Sequence, residues 1–354
     1  MQLLAEAWVH DLDPFAIELP FMPGGGIRWY GLSYLVGFVL AYLIIRRITR
    51  RGRSPLLAEH VGDLIVTLAL GVVIGGRLGY CAFYNPHLFI EWTGDQLPWW
   101  GVLKINQGGM ASHGGILGGI GACAFFAWKR QVPFAYLLDL MAFGGPLGLF
   151  LGRMANFVNG ELYGRPVQPG DPLAFTAMKF PQEMRDDWSI PQIQELIDIA
   201  PRHGVAYAQM SPNQIIEGVI VRVQQGDPFW TGYMQDHLTA RYPSQLFAGL
   251  TEGIVVFLVL AVLYRYPVKR GLIGGAFCIT YAVMRIINEF FRMPDAQFIN
   301  NGQLPAITQG QLLSFFLLAL GITTVVLALR AKGEKLGGWL NDGQLPRINT
   351  DKHG

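Results

Sequence analysis

The sequence predicts an all-α integral membrane protein of about seven transmembrane helices with a small extracytoplasmic head. Three observations carry that prediction. Of the 354 residues, 51% are hydrophobic and only 15% are charged, whereas a soluble domain carries roughly 25% charged residues. The deficit is gathered into stretches of roughly 18–22 residues nearly free of Asp, Glu, Lys and Arg, the length that crosses ~30 Å of hydrocarbon. The basic residues fall in alternate connections between these stretches, as they do when one side of a membrane is cytoplasmic.

Spans are expected near 28–46, 61–82, 108–128, 134–157, 244–264, 271–291 and 310–330. The first carries Tyr34, Leu35, Val36, Phe38, Val39 and Leu40 and ends at Arg46-Arg47. The fourth is interrupted by Gly144-Gly145-Pro146, where a kink is expected because proline removes a backbone donor. Arg46, Arg47, Arg50, Arg51 and Arg53 lie between spans one and two, and Lys129 and Arg130 between three and four. Arg265, Lys269 and Arg270 lie between five and six, and Arg330, Lys332 and Lys335 follow the seventh. On the opposite side, the connection 83–107 holds only Lys104 and the connection 292–309 only Arg292. This alternation places the N-terminus outside and the C-terminus in the cytoplasm. The chain then divides into helices one to four (1–159), an extracytoplasmic head insertion (160–242), helices five to seven (243–332) and a cytoplasmic tail (333–354). Within the head, Ile190 to Ile199 reads as an amphipathic piece and the run from Ile215 to Val223 as a strand.

Most of the 44 glycines lie inside the apolar stretches. The pairs Gly71/Gly75, Gly114/Gly118, Gly115/Gly119, Gly144/Gly148 and Gly148/Gly152 have the small-xxx-small spacing that lets helix backbones approach. The net charge of +2 includes no long basic run, so no nucleic-acid partner is expected. Cys81, Cys123 and Cys278 form no paired framework and read as buried free thiols. The first 27 residues contain Glu6, Asp11, Asp13 and Glu18 but no Lys or Arg, the wrong charge for a cleavable leader. The histidines are scattered and no HExxH occurs, so neither a metal nor another cofactor is expected.

Polar residues inside spans are the informative ones, because each needs a partner or a water-filled cavity. Under the predicted topology Tyr30 opens the first span on its outer side, and His113 lies a few residues into the third. Arg153 and Asn156 come near the outer end of the fourth, followed by Asn159 and Glu161. Glu252 lies in the outer half of the fifth. Tyr281, Arg285 and Glu289 follow one another at spacings of four in the outer half of the sixth, on one helical face. Five spans thus bring polar residues to one depth, which argues for a site. Asp63 and Asp139 fall in the cytoplasmic half and read as structural. Arginine suits a phosphodiester, because its planar fork gives bidentate contacts and stays charged. Each residue also has a plainer explanation: Arg153 could snorkel, Arg285 and Glu289 could be a structural ion pair, and His113 a hydrogen-bonded core residue. A transporter or lipid-binding protein would share kinked Gly-rich helices with intramembrane charge. No inverted repeat is found for that class, and no GxSG or paired-aspartate motif for an intramembrane protease.

The stretch Gly152-Arg153-Met154-Ala155-Asn156-Phe157-Val158-Asn159-Gly160-Glu161-Leu162-Tyr163-Gly164 resembles the signature of the prolipoprotein diacylglyceryl transferases. Further segments agree in order: Arg28 to Leu32, Gly75 to Tyr80, Gly108 to Gly115, Arg241 to Leu246, Tyr281 to Arg285 and Glu289 to Arg292. The family usually has His after the arginine at 241 and Tyr-Glu after Ser-Gln-Leu, whereas Tyr242, Phe247 and Ala248 stand here. That loop is therefore given no catalytic role. The head around 170–240 matches poorly.

The resemblance implies a bacterial inner-membrane enzyme of lipoprotein biosynthesis. Its substrates would be phosphatidylglycerol, taken from the membrane lipid, and a prolipoprotein signal peptide with a lipobox cysteine. The cysteine thiolate attacks the glycerol carbon that bears the phosphate, a thioether forms, and glycerol phosphate leaves. Such chemistry needs an activated thiol and a stabilised leaving group. On this reading Arg153 holds the phosphate and Arg285 reinforces it or clamps the headgroup. His113 is the general-base candidate, unless desolvation or Arg153 activates the thiol without one. Tyr30, Asn156, Glu161, Gly164 and Tyr281 would bind and position the headgroup and peptide, with Glu289 orienting Arg285.

Overall fold

The computed structural model describes residues 6–19, 25–51, 53–92, 98–104, 108–205, 210–293 and 307–340. Along the chain run the short strands β1 (Trp8–Val9), β2 (Phe15–Glu18) and β3 (Gly26–Arg28), then helices α1 (Trp29–Arg51), α2 (Val61–Phe83), α3 (Ser112–Arg130) and α4 (Phe134–Val158). Strand β4 (Met178–Lys179) precedes α5 (Ile190–Ile199), α6 (Pro212–Gln224) and α7 (Pro228–His237), and β5 (Ala240–Arg241) leads back to α8 (Ser244–Leu263). Strand β6 (Val268–Lys269), α9 (Leu272–Asn288), α10 (Gln309–Arg330) and β7 (Lys335–Leu336) complete the order.

Each of the seven predicted spans is helical. Five are long and apolar enough to cross a membrane: α1, α2 with its preceding turn, α4, α8 and α10. The other two fall short for visible reasons. Helix α3 has 19 residues rich in glycine, and α9 is apolar over only 17. The predicted interruption at Gly144-Gly145-Pro146 is not a break, because α4 is continuous for 25 residues with Pro146 inside it. Proline forfeits one backbone bond, and the remaining bonds of the 25-residue helix carry it through.

The chain forms two compact units, Met1–Val36 with Gly148–Val255 and Tyr281–Phe316, and Gly37–Leu147 with Val256–Thr280 and Leu317–Gly354. In the first unit β1 pairs parallel with β4, which pairs antiparallel with β5. Helices α5, α6 and α7 pack around Met184, Leu196, Val219, Val223, Trp230 and Met234. Each helix has a start signal. Ser189 with Gln192 and Ser211 with Gln214 form capping boxes, and Asp227 accepts from the backbone N–H groups of Phe229 and Trp230.

These caps correct the strand expected from Ile215 to Val223, which is the body of α6. Its β-branched run favoured a strand, but Ile215, Ile216, Val219, Ile220 and Val223 are the buried positions, a helical spacing. The cap at Ser211-Pro212 and the helical burial outweigh β-propensity.

In the second unit α2 and α3 touch backbone to backbone. A Cβ on Gly75 would come 2.4 Å from the Gly114 carbonyl oxygen, and one on Gly118 only 2.0 Å from that of Gly71. The small-xxx-small reading holds there. It fails at Gly148 and Gly152, where an added Cβ would meet nothing among the described residues. Asp139, buried on α4, accepts from the backbone N–H groups of Gly271 and Gly274 at 2.7 Å each, capping the start of α9. Asp63 pairs with Arg130 at 2.7 Å. Cys81 and Cys123 are buried free thiols, and Cys278 is half-buried. Beyond α10, β7 pairs with β6, and Arg53 and Gly337 exchange backbone hydrogen bonds at 3.0 and 2.7 Å.

Candidate active site

Glu252 is the centre of a charged cluster in the first unit. It lies in a π-helical stretch, Gly249–Val255, within α8, a feature that often accompanies functional sites. Glycines on both sides of it admit α4. A Cβ on Gly253 would lie 2.7 Å from Phe150 Cβ, and one on Gly249 2.6 Å from the Met154 methyl. This close approach brings Glu252 to Arg153, whose Nη2 is 3.3 Å from Oε2. The same carboxylate lies 3.6 Å from Arg285 Nη1, accepts from Asn288 Nδ2 at 3.1 Å, and has the Tyr281 hydroxyl at 3.5 Å. Arg285 is also ion-paired to Glu289 at 2.9 Å, four residues on. Gly310 stands against the Glu289 carboxylate, where a Cβ would come within 2.8 Å.

Three residues after Arg153, Asn156 starts a second polar group on the same helix end. Its Nδ2 donates to Glu161 Oε1 at 2.8 Å and to the Tyr30 hydroxyl. The loop bearing Glu161 leaves α4 through left-handed Gly160 (φ 68°) and Leu162 (φ 57°). The segment that begins α8 holds it in place. Gln245 Nε2 donates to the Glu161 carbonyl and the Ser244 hydroxyl to that of Leu162, both at 2.7 Å. Gly164 is wedged between two backbone segments, since a Cβ there would come 2.4 Å from the Phe291 carbonyl oxygen and 2.6 Å from that of Tyr242. Its smallness is a packing requirement. Next to it, buried Arg241 pairs with Glu183 at 2.9 Å and Asp187 at 2.8 Å, tying the loop to the helices that follow β4. Burial beside Asp187 and Asp186 pushes the Tyr163 hydroxyl upward from its ordinary range.

Of the residues singled out from sequence, Tyr30, Arg153, Asn156, Glu161, Gly164, Tyr281, Arg285 and Glu289 therefore belong to the first unit. His113 belongs to the second, where it is exposed on the first turn of α3. Its approach segment is anchored by Arg77, 4% exposed on α2. Arg77 donates to the carbonyls of Gly101, Val102, Gly108 and Gly109 at 2.7, 2.7, 2.6 and 3.1 Å.

Three residues carry no role legible in the sequence alone: depth marks Glu252, a motif includes Arg77, and nothing marks Asn288. A signal existed for two of them, since Glu252 and Arg77 are charges inside apolar helices. Asn288 had none.

Chemically, the cluster offers two guanidinium groups at one carboxylate, in surroundings where charge is poorly screened. Such a pair suits a phosphate or carboxylate ligand. The Tyr30, Asn156 and Glu161 group beside it offers acceptors and donors for hydroxyls.

The family model described as prolipoprotein diacylglyceryl transferase matches residues 14–327. A phosphatidylglycerol–prolipoprotein diacylglyceryl transferase of Bdellovibrio bacteriovorus is 42% identical over 349 residues, covering 94% of this chain and 97% of the relative. The correspondingly named protein of Azospirillum brasilense is 36% identical, with 90% and 95% covered. That of Rhodopseudomonas palustris is 35% identical, with 90% of each covered.

Proposed function

The chain belongs to the prolipoprotein diacylglyceryl transferase family, and from that premise we propose that it moves the diacylglyceryl group of phosphatidylglycerol to the lipobox cysteine of a prolipoprotein. A sulfur–carbon bond forms at the glycerol carbon bearing the phosphate, and the carbon–oxygen bond to that phosphate breaks. Its electron pair leaves with glycerol phosphate, and the thiol proton is given up. The observation that carries this reading is the pair Arg153 and Arg285 converging on one buried position, now held by Glu252.

Each residue has a role in this reaction. Arg153 takes the phosphate of the lipid, and Arg285, held by Glu289, shares it and offsets the charge that grows on the leaving oxygen. Tyr281 donates to the same group. Tyr30, Asn156 and Glu161 hold the hydroxyls of the glycerol headgroup, and Gly164 gives the signature loop its path. His113 accepts the thiol proton, since imidazole titrates in the useful range.

The protein is a membrane protein with several apolar helices. We place it in the bacterial inner membrane with seven crossings, an outer N-terminus and a cytoplasmic tail. The head of 160–242 then lies outside, with 1–159 and 243–332 forming the membrane body. Two observations support that side assignment. Tail strand β7 pairs with the connection between α8 and α9, and Arg53, between α1 and α2, bonds to Gly337 in the tail. Three segments expected on the cytoplasmic side are thus joined.

The test uses purified protein in detergent, phosphatidylglycerol and a lipobox peptide, read by the mass of the peptide. The expected gain is that of one diacylglyceryl group. It should be absent with a Cys→Ser peptide and strongly reduced with Arg153→Ala. A folded protein that leaves the peptide unmodified refutes the assignment.

A further inference from the structure

Glu252 is the most enclosed charge of the cluster, at 1% exposure, and it faces both guanidinium groups. Glu289, 4% exposed, faces Arg285. Two cations are thus balanced by two anions before any lipid arrives. For affinity alone this is a poor arrangement, because each carboxylate opposes an incoming phosphate. Resting on the transfer reaction above, we propose that Glu252 is a charge filter, which admits the singly charged phosphodiester of the lipid and expels the doubly charged phosphate monoester product.

The charge change follows from the bonds. Thiolate sulfur, with one negative charge, attacks carbon, and the diester, with one, loses that carbon from its oxygen. Both charges then reside on glycerol phosphate, whose second proton is held with a pKa of ≈ 6. The cost of removing an ion from water grows with the square of its charge, while its attraction to a site grows only linearly. The cluster of Arg153, Arg285, Glu252 and Glu289, which has no net charge of its own, therefore tolerates the monoanion far better than the dianion. With arginines alone, it would hold the dianionic product and stall. Glu252 is suited to this task by its place, since it touches both arginines that receive the phosphate, whereas Glu289 touches one.

The inference is tested at pH 8 on the full chain in detergent, turning over phosphatidylglycerol and a lipobox peptide. Inhibition constants are measured for glycerophosphoglycerol, the deacylated diester, and for glycerol phosphate, the monoester. For the wild-type protein the diester should bind at least about tenfold more tightly. Glu252→Gln keeps the shape and removes one charge, which a doubly charged ligand feels twice. The diester should then tighten about tenfold and the monoester about a hundredfold, with turnover becoming limited by product.

A wild-type protein that binds the monoester as tightly as the diester overturns the filter. So does a Glu252→Gln variant in which both constants move by the same factor. If that variant does not fold, the wild-type comparison alone decides. A wild-type protein that transfers nothing refutes the function instead, and calorimetric binding of the two phosphates then decides the filter without turnover.

Discussion

Arg153 and Glu252 stand 99 residues apart in sequence, and their side chains are 3.3 Å apart in the fold. The contact depends on Gly249 and Gly253, which let α8 lie against α4 on either side of the carboxylate. It leaves the guanidinium of Arg153 turned toward the position that Arg285 also reaches.

Arg153→Lys keeps the charge but loses the planar fork. Turnover should fall about 10²–10³-fold, as when one preorganised donor to a developing anion is removed. Steady-state rates at saturating lipid give the check. Near-normal turnover would take Arg153 out of the phosphate role.

For His113 the decisive variant is His113→Gln assayed at pH 8. A general base should cost about 10²–10⁴-fold when lost. Retention of most activity would mean that the thiol is activated by its surroundings.

Arg77→Met should destabilise the protein by about 3 kcal/mol or more, because four backbone carbonyls lose a charged donor together. The thermal unfolding midpoint in detergent reports this. Transfer should fall as well, since the anchored segment leads directly into the helix turn bearing His113. An unchanged midpoint would contradict the anchoring role.

His10, which precedes the first apolar helix, makes the stability depend on pH. Its ring is 1% exposed and packs against Trp8, Phe157 and Phe180 at centroid distances of 5.5, 5.4 and 5.4 Å. Burial pushes its pKa below 6.5, although the Phe157 backbone and Asp11 oppose the shift. The folded state then binds fewer protons than the unfolded one below pH 6.5. Stability is complete above that value and declines as pH falls toward the folded pKa, by up to about 1.4 kcal/mol per unit. His10→Phe should flatten this acid limb, as read from unfolding midpoints between pH 7.5 and 5.5. An equal acid loss in both proteins would remove His10 as its source.

The helices and most of the cluster were legible in the sequence for a physical reason. Exclusion from hydrocarbon acts on each residue where it stands, so apolar runs and the polar residues that interrupt them can be read one position at a time. Spacings of four placed Tyr281, Arg285 and Glu289 on one face; α9 carries the first two, and Glu289, one residue past its end, still donates its backbone N–H to the Arg285 carbonyl at 3.1 Å. The run from Ile215 to Val223 misled, because β-branched composition is a weaker determinant than a cap and a buried helical face.

By itself, then, the sequence determined the apolar helices, the glycine seam of α2 and α3, and the identity of the charged residues that interrupt the apolar stretches. Only the tertiary structure decided that Glu252 lies between Arg153 and Arg285, that Asn288 joins them, and that Arg77 is spent on four carbonyls rather than on a ligand. Hydrophobicity is a property of each residue and is written along the chain. The partner of a buried charge is chosen by helix packing, here set by Gly249, Gly253 and a π-helical stretch, and no local pattern records it.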